Sequence, residues 1–322
     1  MLARVANSLY WLSRYMERAE TAARLLDVNM QLALDFEEHT PGRDQTHWQP
    51  ILATLEDQDL FGQFHKQITP EAVMDFMTFE ARNPNSIAAC IANARENART
   101  VREQIPSEMW EQLNRTFLYL RDGTARAHHQ DSPIDFYRQL VDRLHAFQGT
   151  TDATMTHGEG WDFLQAGKFL ERADSTSRVL DVKYHILLPN GEEVGGTADV
   201  TQWMAVLRSC SAMEAYLKIH PGDVAAWRVA EFLILHGDFP RSIRFCAEQL
   251  DSALHRISGC PESHFSNDAE RLSGRLRAEL SYTTIVDIFD RGLHQFLDGT
   301  QLELIGISNA LSDAYFDWQA ED

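Results

Sequence analysis

The stretch that decides the fold is RYMERAETAARLLDV, which runs from Arg14 to Val28. Apolar residues recur through it and around it at steps of three and four, and this period predicts one helix from near the start of the chain to about Phe36. Apolar residues also lie on the opposite side of this helix, which is typical of a central helix in a bundle. Its charges are then expected to be partly buried and paired, because an unpaired buried charge is costly. The charged residues concerned are Arg14, Glu17, Arg18, Glu20 and Arg24.

A second stretch, KFLERADSTSRVLDV from Lys168 to Val182, matches the first without gaps at an offset of 154 residues. Glu17 then corresponds to Glu171, and Arg18 to Arg172. Because the offset is close to half of the 322 residues, the sequence predicts two similar helical halves, at about 1–155 and 156–322, within one helical domain over 1–322. The alternative is that two unrelated amphipathic helices share a Glu-Arg-Ala core.

The rest of the chain also has a helical period. Helix starts are predicted at Thr69-Pro70 and at Ser132-Pro133, where a capping hydroxyl precedes a proline. No run of alternating β-branched residues bounded by turns occurs, so we predict an all-α helical bundle of roughly ten helices, the last from Asn267 to the end with a break near Tyr282. The glycine-rich segment Leu188 to Asp199 is interpreted as a plain linker.

Composition and charge argue against several classes of function. The net charge is −19, from 29 Lys and Arg against 48 Asp and Glu, so we expect no nucleic-acid partner and no anionic membrane surface. No stretch approaches the length of an apolar membrane span, and the N-terminus lacks the pattern of a signal peptide. Four widely spaced cysteines are typical of reduced, buried thiols, and the chain is therefore expected to be soluble and cytoplasmic.

Motifs for metal and cofactor chemistry are missing from the sequence. No Glu-x-x-His, Asp-rich magnesium motif or phosphate-binding loop occurs, so we predict no metal and no cofactor. The pair His128-His129 is interpreted as an exposed polar turn, and Cys246 as a buried thiol.

Basic residues are instead concentrated in a few short segments. FPRSIRFC, from Phe239 to Cys246, places basic groups at a predicted helix N-terminus, where free N–H groups already favour anions. NARENAR, residues 93–99, has a similar mix of basic and amide groups. Two interpretations stay open: an internal ion network that fixes how helices dock, or Glu-Arg faces that bind an anionic group. The candidate residues for anion or partner binding are Arg14, Arg18, Arg24, Arg95, Arg99, Lys168, Arg172, Arg178, Arg241, Ser242 and Arg244.

Four segments in the same order resemble the alpha-E family, bacterial all-helical proteins named for a Glu-Arg motif. They are SLYWLSRYMERAETAARLLDV at the start, SIAACIANARENARTVREQIPSEMWEQLN from Ser86, FLERAD from Phe169 and FPRSIRFC. The resemblance implies a functional association with circularly permuted ATP-grasp ligases, and with transglutaminase-like and proteasome-like peptidases. It therefore implies an accessory or substrate-binding subunit of a system that forms or modifies peptide or amide bonds. No catalytic role is implied for any residue.

Two other functional classes remain open. The chain could be an amide-forming or amide-cleaving enzyme in its own right, with Glu17 or Glu171 as acid or base, which would need a carboxyl of raised pKa. It could also be a purely structural interaction module, in which the Glu-Arg faces are closed and dry. Homo-oligomers are possible in each class.

Overall fold

In a computed structural model of the chain, the described residues are 1–37, 48–186 and 197–317. This part of the chain contains sixteen α-helices, one short 3₁₀ helix and no strand, which confirms the all-α class. The predicted number of about ten was too low, because short helices were missed and neighbouring ones merged. The segment from Asn267 onward, for example, forms three helices in the described range.

The helices fall into two series of eight. The first series is α1 Ala3–Glu37, α2 Gln49–Thr54, α3 Gln58–Phe64, α4 Pro70–Phe79, α5 Ile87–Thr100, α6 Ser107–Arg121, α7 Gly123–Asp131 and α8 Pro133–Thr154, with the 3₁₀ helix Arg102–Gln104 before α6. The second series is α9 Glu159–Ile186, α10 Thr197–Ser209, α11 Met213–Ile219, α12 Ala226–Leu235, α13 Ile243–Ser258, α14 Asp268–Tyr282, α15 Ile285–Arg291 and α16 Leu293–Tyr315. Members in the same place have similar lengths: α3 and α11 have 7 residues each, and α4 and α12 have 10.

A second repeated motif supports this correspondence. NPNSIAAC (83–90) and FPRSIRFC (239–246) share proline, serine, isoleucine and cysteine at an offset of 156 residues. Ser86 and Ser242 are the N-caps of α5 and α13, and each hydroxyl accepts a hydrogen bond from the backbone three residues later. Cys90 and Cys246 are fully buried one turn into these helices.

Contacts divide the chain into two compact units. The larger unit comprises Met1–Arg14 and Thr156–Asp322, and the smaller unit comprises Tyr15–Met155. Helix α1 therefore contributes its first residues to the larger unit and the remainder to the smaller one. In the larger unit α9 packs against both α13 and α16, and every residue from Asp162 to Ala173 is buried. In the smaller unit α6 packs against α5 and α8.

Some predictions need correction or lie outside the described residues. His128 and His129 belong to helix α7 rather than to a turn, and the ring of His129 packs edge-on against Phe136 at 5.2 Å. Burial lowers the pKa of His129. Of the predicted linker, residues 188–196 lie outside the described part, and α10 begins at Thr197. Among the described helices, none combines the length and apolar character that a bilayer crossing requires.

Candidate functional site

The second Glu-Arg cluster lies in the larger unit, on α9 and the first part of α1. Its central contact is a nearly buried ion pair, in which Arg14 Nε donates to Glu171 Oε2 at 2.7 Å. Arg14 Nη1 also donates to Ser308 Oγ at 3.0 Å, and the guanidinium lies 4.7 Å from the centre of the Trp11 ring. A charge this deep is stabilised because Arg14 is held by these groups in addition to the Glu171 carboxylate.

Gly167 explains how α1 and α9 come close enough to form this pair. A Cβ atom at Gly167 would lie 2.3 Å from the Tyr10 carbonyl oxygen and 3.3 Å from Arg14 Cγ. Only a glycine leaves room for this approach of the two helix backbones. The corresponding position of the first copy is Ser13, so the requirement is particular to the second copy.

One turn further along α9, Arg178 Nε donates to Asp174 Oδ2 at 2.8 Å. Burial raises the pKa of Asp174, and the hydrogen bond and charge of Arg178 only partly offset that effect. Arg178 is thus engaged with a carboxylate on its own helix, as the spacing of four residues favours.

Arg172, the arginine of the second motif, points to the loop before α13. Its Nη1 donates to the Pro240 carbonyl at 3.3 Å, and Thr176 Oγ1 donates to the Arg241 carbonyl at 2.9 Å. Lys168 and Arg172 both lie over the Phe169 ring, at 5.0 and 5.7 Å from its centre. The second motif therefore holds the segment FPRSIRFC in place through backbone carbonyls.

The predicted residues at the start of α13 are of two kinds, one buried serine and two partly exposed arginines. Ser242 is fully buried and acts as the helix cap: its hydroxyl accepts from Phe245 N–H at 3.1 Å and donates to the His236 carbonyl. Arg241 and Arg244 are partly exposed, and Arg244 Nε donates to Glu248 Oε1 at 2.9 Å. The two arginines, rather than the serine, are accessible to a partner.

The first Glu-Arg cluster lies in the smaller unit, on the part of α1 after Arg14. Glu17 has no exposed surface and accepts a hydrogen bond from Gln148 Nε2 of α8 at 2.7 Å. Arg24 pairs with Glu20, also buried, and His145 Nε2 lies 2.8 Å from Glu20 Oε1. Glu20 and Arg24 therefore form the kind of i,i+4 pair that a helix favours, as expected for buried charges of this helix.

Arg18, the arginine of the first motif, leads to a buried network that sequence reasoning missed. Its Nη1 donates to Asn85 Oδ1 at 2.9 Å, and Asn85 Nδ2 in turn donates to Asp57 Oδ1 at 3.1 Å. Asn83 Nδ2 lies 3.4 Å from Asp57 Oδ2. Burial raises the pKa of Asp57, and the hydrogen bonds from the two asparagines only partly offset it. The usable signal was Asn-Pro-Asn at the first copy of the repeated Pro-x-Ser-Ile motif.

Arg95 and Arg99 lie further along α5. Arg95 Nε donates to Asn114 Oδ1 at 2.8 Å, and its guanidinium lies 4.5 Å from the centre of the Phe117 ring. Arg99 is exposed and pairs with Glu96 at 2.9 Å. These contacts tie Arg95 to α6 and leave Arg99 on a solvated face.

Both copies share one relation. In each, the motif arginine of the long first helix contacts the residues that directly precede the capping serine: Arg18 contacts Asn85, and Arg172 contacts Pro240. Most of the predicted residues therefore contact other residues of the same copy. Each group of residues can hold a helix N-terminus in place and present cationic side chains beside it.

Comparisons with known proteins agree with the sequence resemblance. The sequence profile of alpha-E, described as a predicted alpha-helical domain with a conserved ER motif, matches residues 1–316. An uncharacterised protein from Mycobacterium bovis is 22% identical over 293 residues, which are 86% of this chain and 32% of that protein. An uncharacterised protein from Mycobacterium tuberculosis has the same identity and coverage. The chain thus spans about a third of the length of these curated relatives. No solved structure matches the chain.

Proposed function

The chain belongs to the alpha-E family, and we propose that it is an accessory or substrate-binding subunit of a peptide- or amide-bond-forming system that acts with an ATP-grasp-type ligase. In this proposal the basic residues at the start of α13 bind an anionic group of the ligase or of its acidic substrate. The ligase is the partner that the family resemblance implies, and the surface is the one that the chemistry of these residues supports.

One observation carries the proposal. Arg241 and Arg244 correspond to Asn85 and Ala88 in the first copy, where α5 has the same capping serine. The shared architecture therefore forms without arginines at these positions. Cations at a helix N-terminus oppose the helix dipole, so negative groups stabilise them there. Glu248 is one such group for Arg244, and both arginines are also exposed enough to reach an anionic partner. On a chain of net charge −19, they form a local site for an anion or an acidic partner.

The buried acids have a supporting role in this proposal. Glu171 holds Arg14, while the neighbouring Arg172 is held by a backbone carbonyl and fixes the loop that carries Arg241. Glu17 is held by Gln148 in the first copy. Neither acid presents surface to a substrate, since Glu17 is 0% exposed and Glu171 is 3% exposed. We therefore place an enzyme with Glu17 or Glu171 as acid or base below the binding function.

A purely structural module is the second candidate, and a specific observation favours it. The pairs Arg14 with Glu171 and Arg24 with Glu20 are buried inside their own units. The pair between Arg14 and Glu171 joins α1 to α9, and such a closed ion pair fixes how the two helices dock. The two candidates differ in the role of the partly exposed arginines of α13, which a structural module does not need.

The deciding experiment is a pull-down of the tagged chain from its native cells, read by mass spectrometry for an ATP-grasp-type ligase. The test variant is Arg241→Ala with Arg244→Ala. The matched control is Arg99→Ala with Arg115→Ala, which removes two exposed arginines that pair with acids on their own helices in the first copy. Circular dichroism and thermal unfolding establish that both variants are folded.

We expect the ligase to co-purify with the wild type and the control and to be lost from the test variant. If the ligase remains bound to the test variant, the arginines of α13 are not the binding site. If no ligase co-purifies with the wild type, the proposed partner is wrong. Loss from both variants would indicate non-specific attraction to any positive charge.

A further inference from the structure

We propose that His255, Cys260 and Glu270 form a binding site for a divalent transition metal of the zinc type. His255 lies in the last turn of α13, Cys260 in the loop that follows, and Glu270 in the first turn of α14. The ligand atoms of the three side chains all lie within 4.8 Å of one another. The site does not depend on the proposed ligase partner, and it differs from the sequence-based prediction of no metal.

The ligand set is suited to zinc. Imidazole nitrogen, thiolate sulfur and carboxylate oxygen bind Zn²⁺ at about 2.0–2.3 Å, usually in a tetrahedron. His255 Nδ1 and Glu270 Oε2 are 3.9 Å apart. Ligand atoms in such a tetrahedron are separated by about 3.3–3.8 Å, from these bond lengths. Shifts of about 1 Å or less would therefore bring the three ligand atoms to these separations.

A neighbouring carboxylate is placed to orient the imidazole. Asp251 is fully buried on the previous turn of α13, and its Oδ1 lies 3.7 Å from His255 Nε2. Ser273 Oγ donates to the same oxygen at 2.6 Å. With Nε2–H turned toward Asp251, Nδ1 faces Glu270 and Cys260, which is the carboxylate–histidine–metal arrangement of many zinc sites. Nδ1 also lies 3.1 Å from the Cys260 carbonyl oxygen, a contact that the metal would replace.

Glu270 is fixed as an ionised ligand. Ser266 donates to its carboxylate through the backbone N–H at 2.6 Å and through Oγ at 2.8 Å, and Asn267 Nδ2 donates at 3.0 Å. A carboxylate held in this way needs no reorganisation to bind a cation.

The repeat shows that the helical hairpin does not need these residues. In the first copy, Met109 occupies the place of Glu270, the third residue of its helix, and is fully buried. Arg99 and Arg95 occupy the places of His255 and Asp251. The second copy therefore buries two carboxylates and an imidazole where the fold accepts other side chains. Arg277 Nη1 lies 3.1 Å from Asp251 Oδ2 and compensates one of these charges. A bound metal would compensate the charge of Glu270.

Binding is a simple coordination step. The Cys260 S–H bond breaks, its proton goes to solvent, and the sulfur lone pair forms the bond to the metal. No oxidant or reductant takes part, and the metal keeps its charge. Three protein ligands leave a fourth position for water.

The test uses the full chain, stripped with a chelator and kept reduced with a phosphine. It is titrated with Zn²⁺ in competition with a chromophoric chelator, and with Co²⁺ for its spectrum. The test variant is Cys260→Ser, at a partly exposed position. The control is His264→Ala, because His264 is an exposed histidine on the same loop and lies outside the proposed site. Thermal unfolding without metal establishes that both are folded.

We expect one zinc per chain in the wild type and in His264→Ala, with a thiolate-to-cobalt charge-transfer band in the near ultraviolet. Cys260→Ser should lose the band and at least about tenfold in zinc affinity, since even the loss of a group that only hydrogen-bonds to a metal ligand costs that much. Equal affinity in wild type and Cys260→Ser would overturn the site. Loss of binding in His264→Ala alone would assign the metal to the surface. Absence of stoichiometric binding would mean that His255 bridges Asp251 and Glu270 without a metal.

Discussion

The first and second Glu-Arg clusters use one helical frame for different chemistry. In the first, Arg18 donates to the side chain of Asn85, which in turn donates to the buried Asp57. In the second, Arg172 donates to a backbone carbonyl, and Ala212 occupies the place of Asp57 as the residue that precedes the third helix of its series. The contrast teaches that the position of the motif arginine is architectural, whereas the polar groups around it can vary between copies.

The copies also differ in the contacts of their motif acids and in their further charged groups. In the first cluster Gln148 donates to Glu17, and in the second Arg14 donates to Glu171. The second copy further carries Arg241 and Arg244 at the start of α13, and the His255, Cys260 and Glu270 group at its end. Both proposals therefore concern the second copy, with the first copy as an internal control.

The largest expected effect comes from breaking the charge pair of the second cluster. Glu171→Gln leaves the guanidinium of Arg14 in a nearly buried site without its carboxylate, and we expect a loss of about 3 kcal/mol in the free energy of unfolding. Urea unfolding measures it. Arg115→Ala, which removes an exposed pair with Glu111, should cost less than about 1 kcal/mol. A similar cost for both variants would contradict a special role for the buried pair.

The close approach of the α1 and α9 backbones predicts that two glycine-to-alanine substitutions change stability in opposite directions. Gly167→Ala places a methyl group against the Tyr10 carbonyl, and we expect a loss of about 2–3 kcal/mol in stability. Gly149→Ala, in the middle of α8, meets nothing within 4 Å and should gain up to about 1 kcal/mol from better helix propensity. Thermal unfolding of both variants provides the comparison. A stable Gly167→Ala protein would show that α1 and α9 are not in tight contact.

The two capping serines allow a direct comparison of the copies. Ser86→Ala removes one hydrogen bond to a helix N–H, and we expect it to cost about 1 kcal/mol. Ser242→Ala also leaves the His236 carbonyl without its hydroxyl donor, and it should cost about 2 kcal/mol. Chemical denaturation under identical conditions measures the difference. If Ser86→Ala proves the more costly, the extra bond of Ser242 contributes nothing.

The smallest expected effect is the pH dependence that Asp57 of the first copy contributes. Because burial raises the pKa of Asp57 above its ordinary value of 3.8, the folded state binds this proton more tightly than the unfolded state. Its contribution to stability is therefore greatest at acidic pH and falls as the pH rises above 3.8 through the folded-state pKa. Unfolding of wild type and Asp57→Asn from pH 4 to 7 should give curves that separate in this direction. Parallel curves would mean that Asp57 titrates normally.

Local signals predicted several elements well. Thr69 caps α4, and Pro133 begins a helix that ends at Thr154. The predicted cap at Ser132 was wrong, because its hydroxyl donates to Asp135 and makes no hydrogen bond to the helix backbone. Local sequence signals failed where contacts with residues distant in sequence decide whether a side chain is buried. His128 and His129 look polar and exposed in sequence, yet they lie on α7, where His128 packs edge-on against Phe136. Asp57 carries no local sign of burial, because the asparagines that surround it are some 26 and 28 residues away.

In the candidate site, too, local patterns were predicted from the sequence and the burial of individual side chains was not. Sequence reasoning selected the motif arginines and the FPRSIRFC segment, since charge at a helix start is a local pattern. It could not separate Ser242, which caps α13 in the interior, from Arg241 and Arg244, which reach solvent. Nor could it assemble His255, Cys260 and Glu270, because their spacing follows no known metal motif.

The sequence by itself determined the helical class, the repeat and the family, because periodicity, caps and motif spacing are properties of neighbouring residues. Tertiary structure alone decided which charges are paired and which face solvent. Arg14 meets Glu171 across 157 positions of chain, and Arg18 meets Asn85 across 67. Burial and pairing depend on which helix faces lie together, and such long-range packing is encoded by the whole chain rather than by any one stretch.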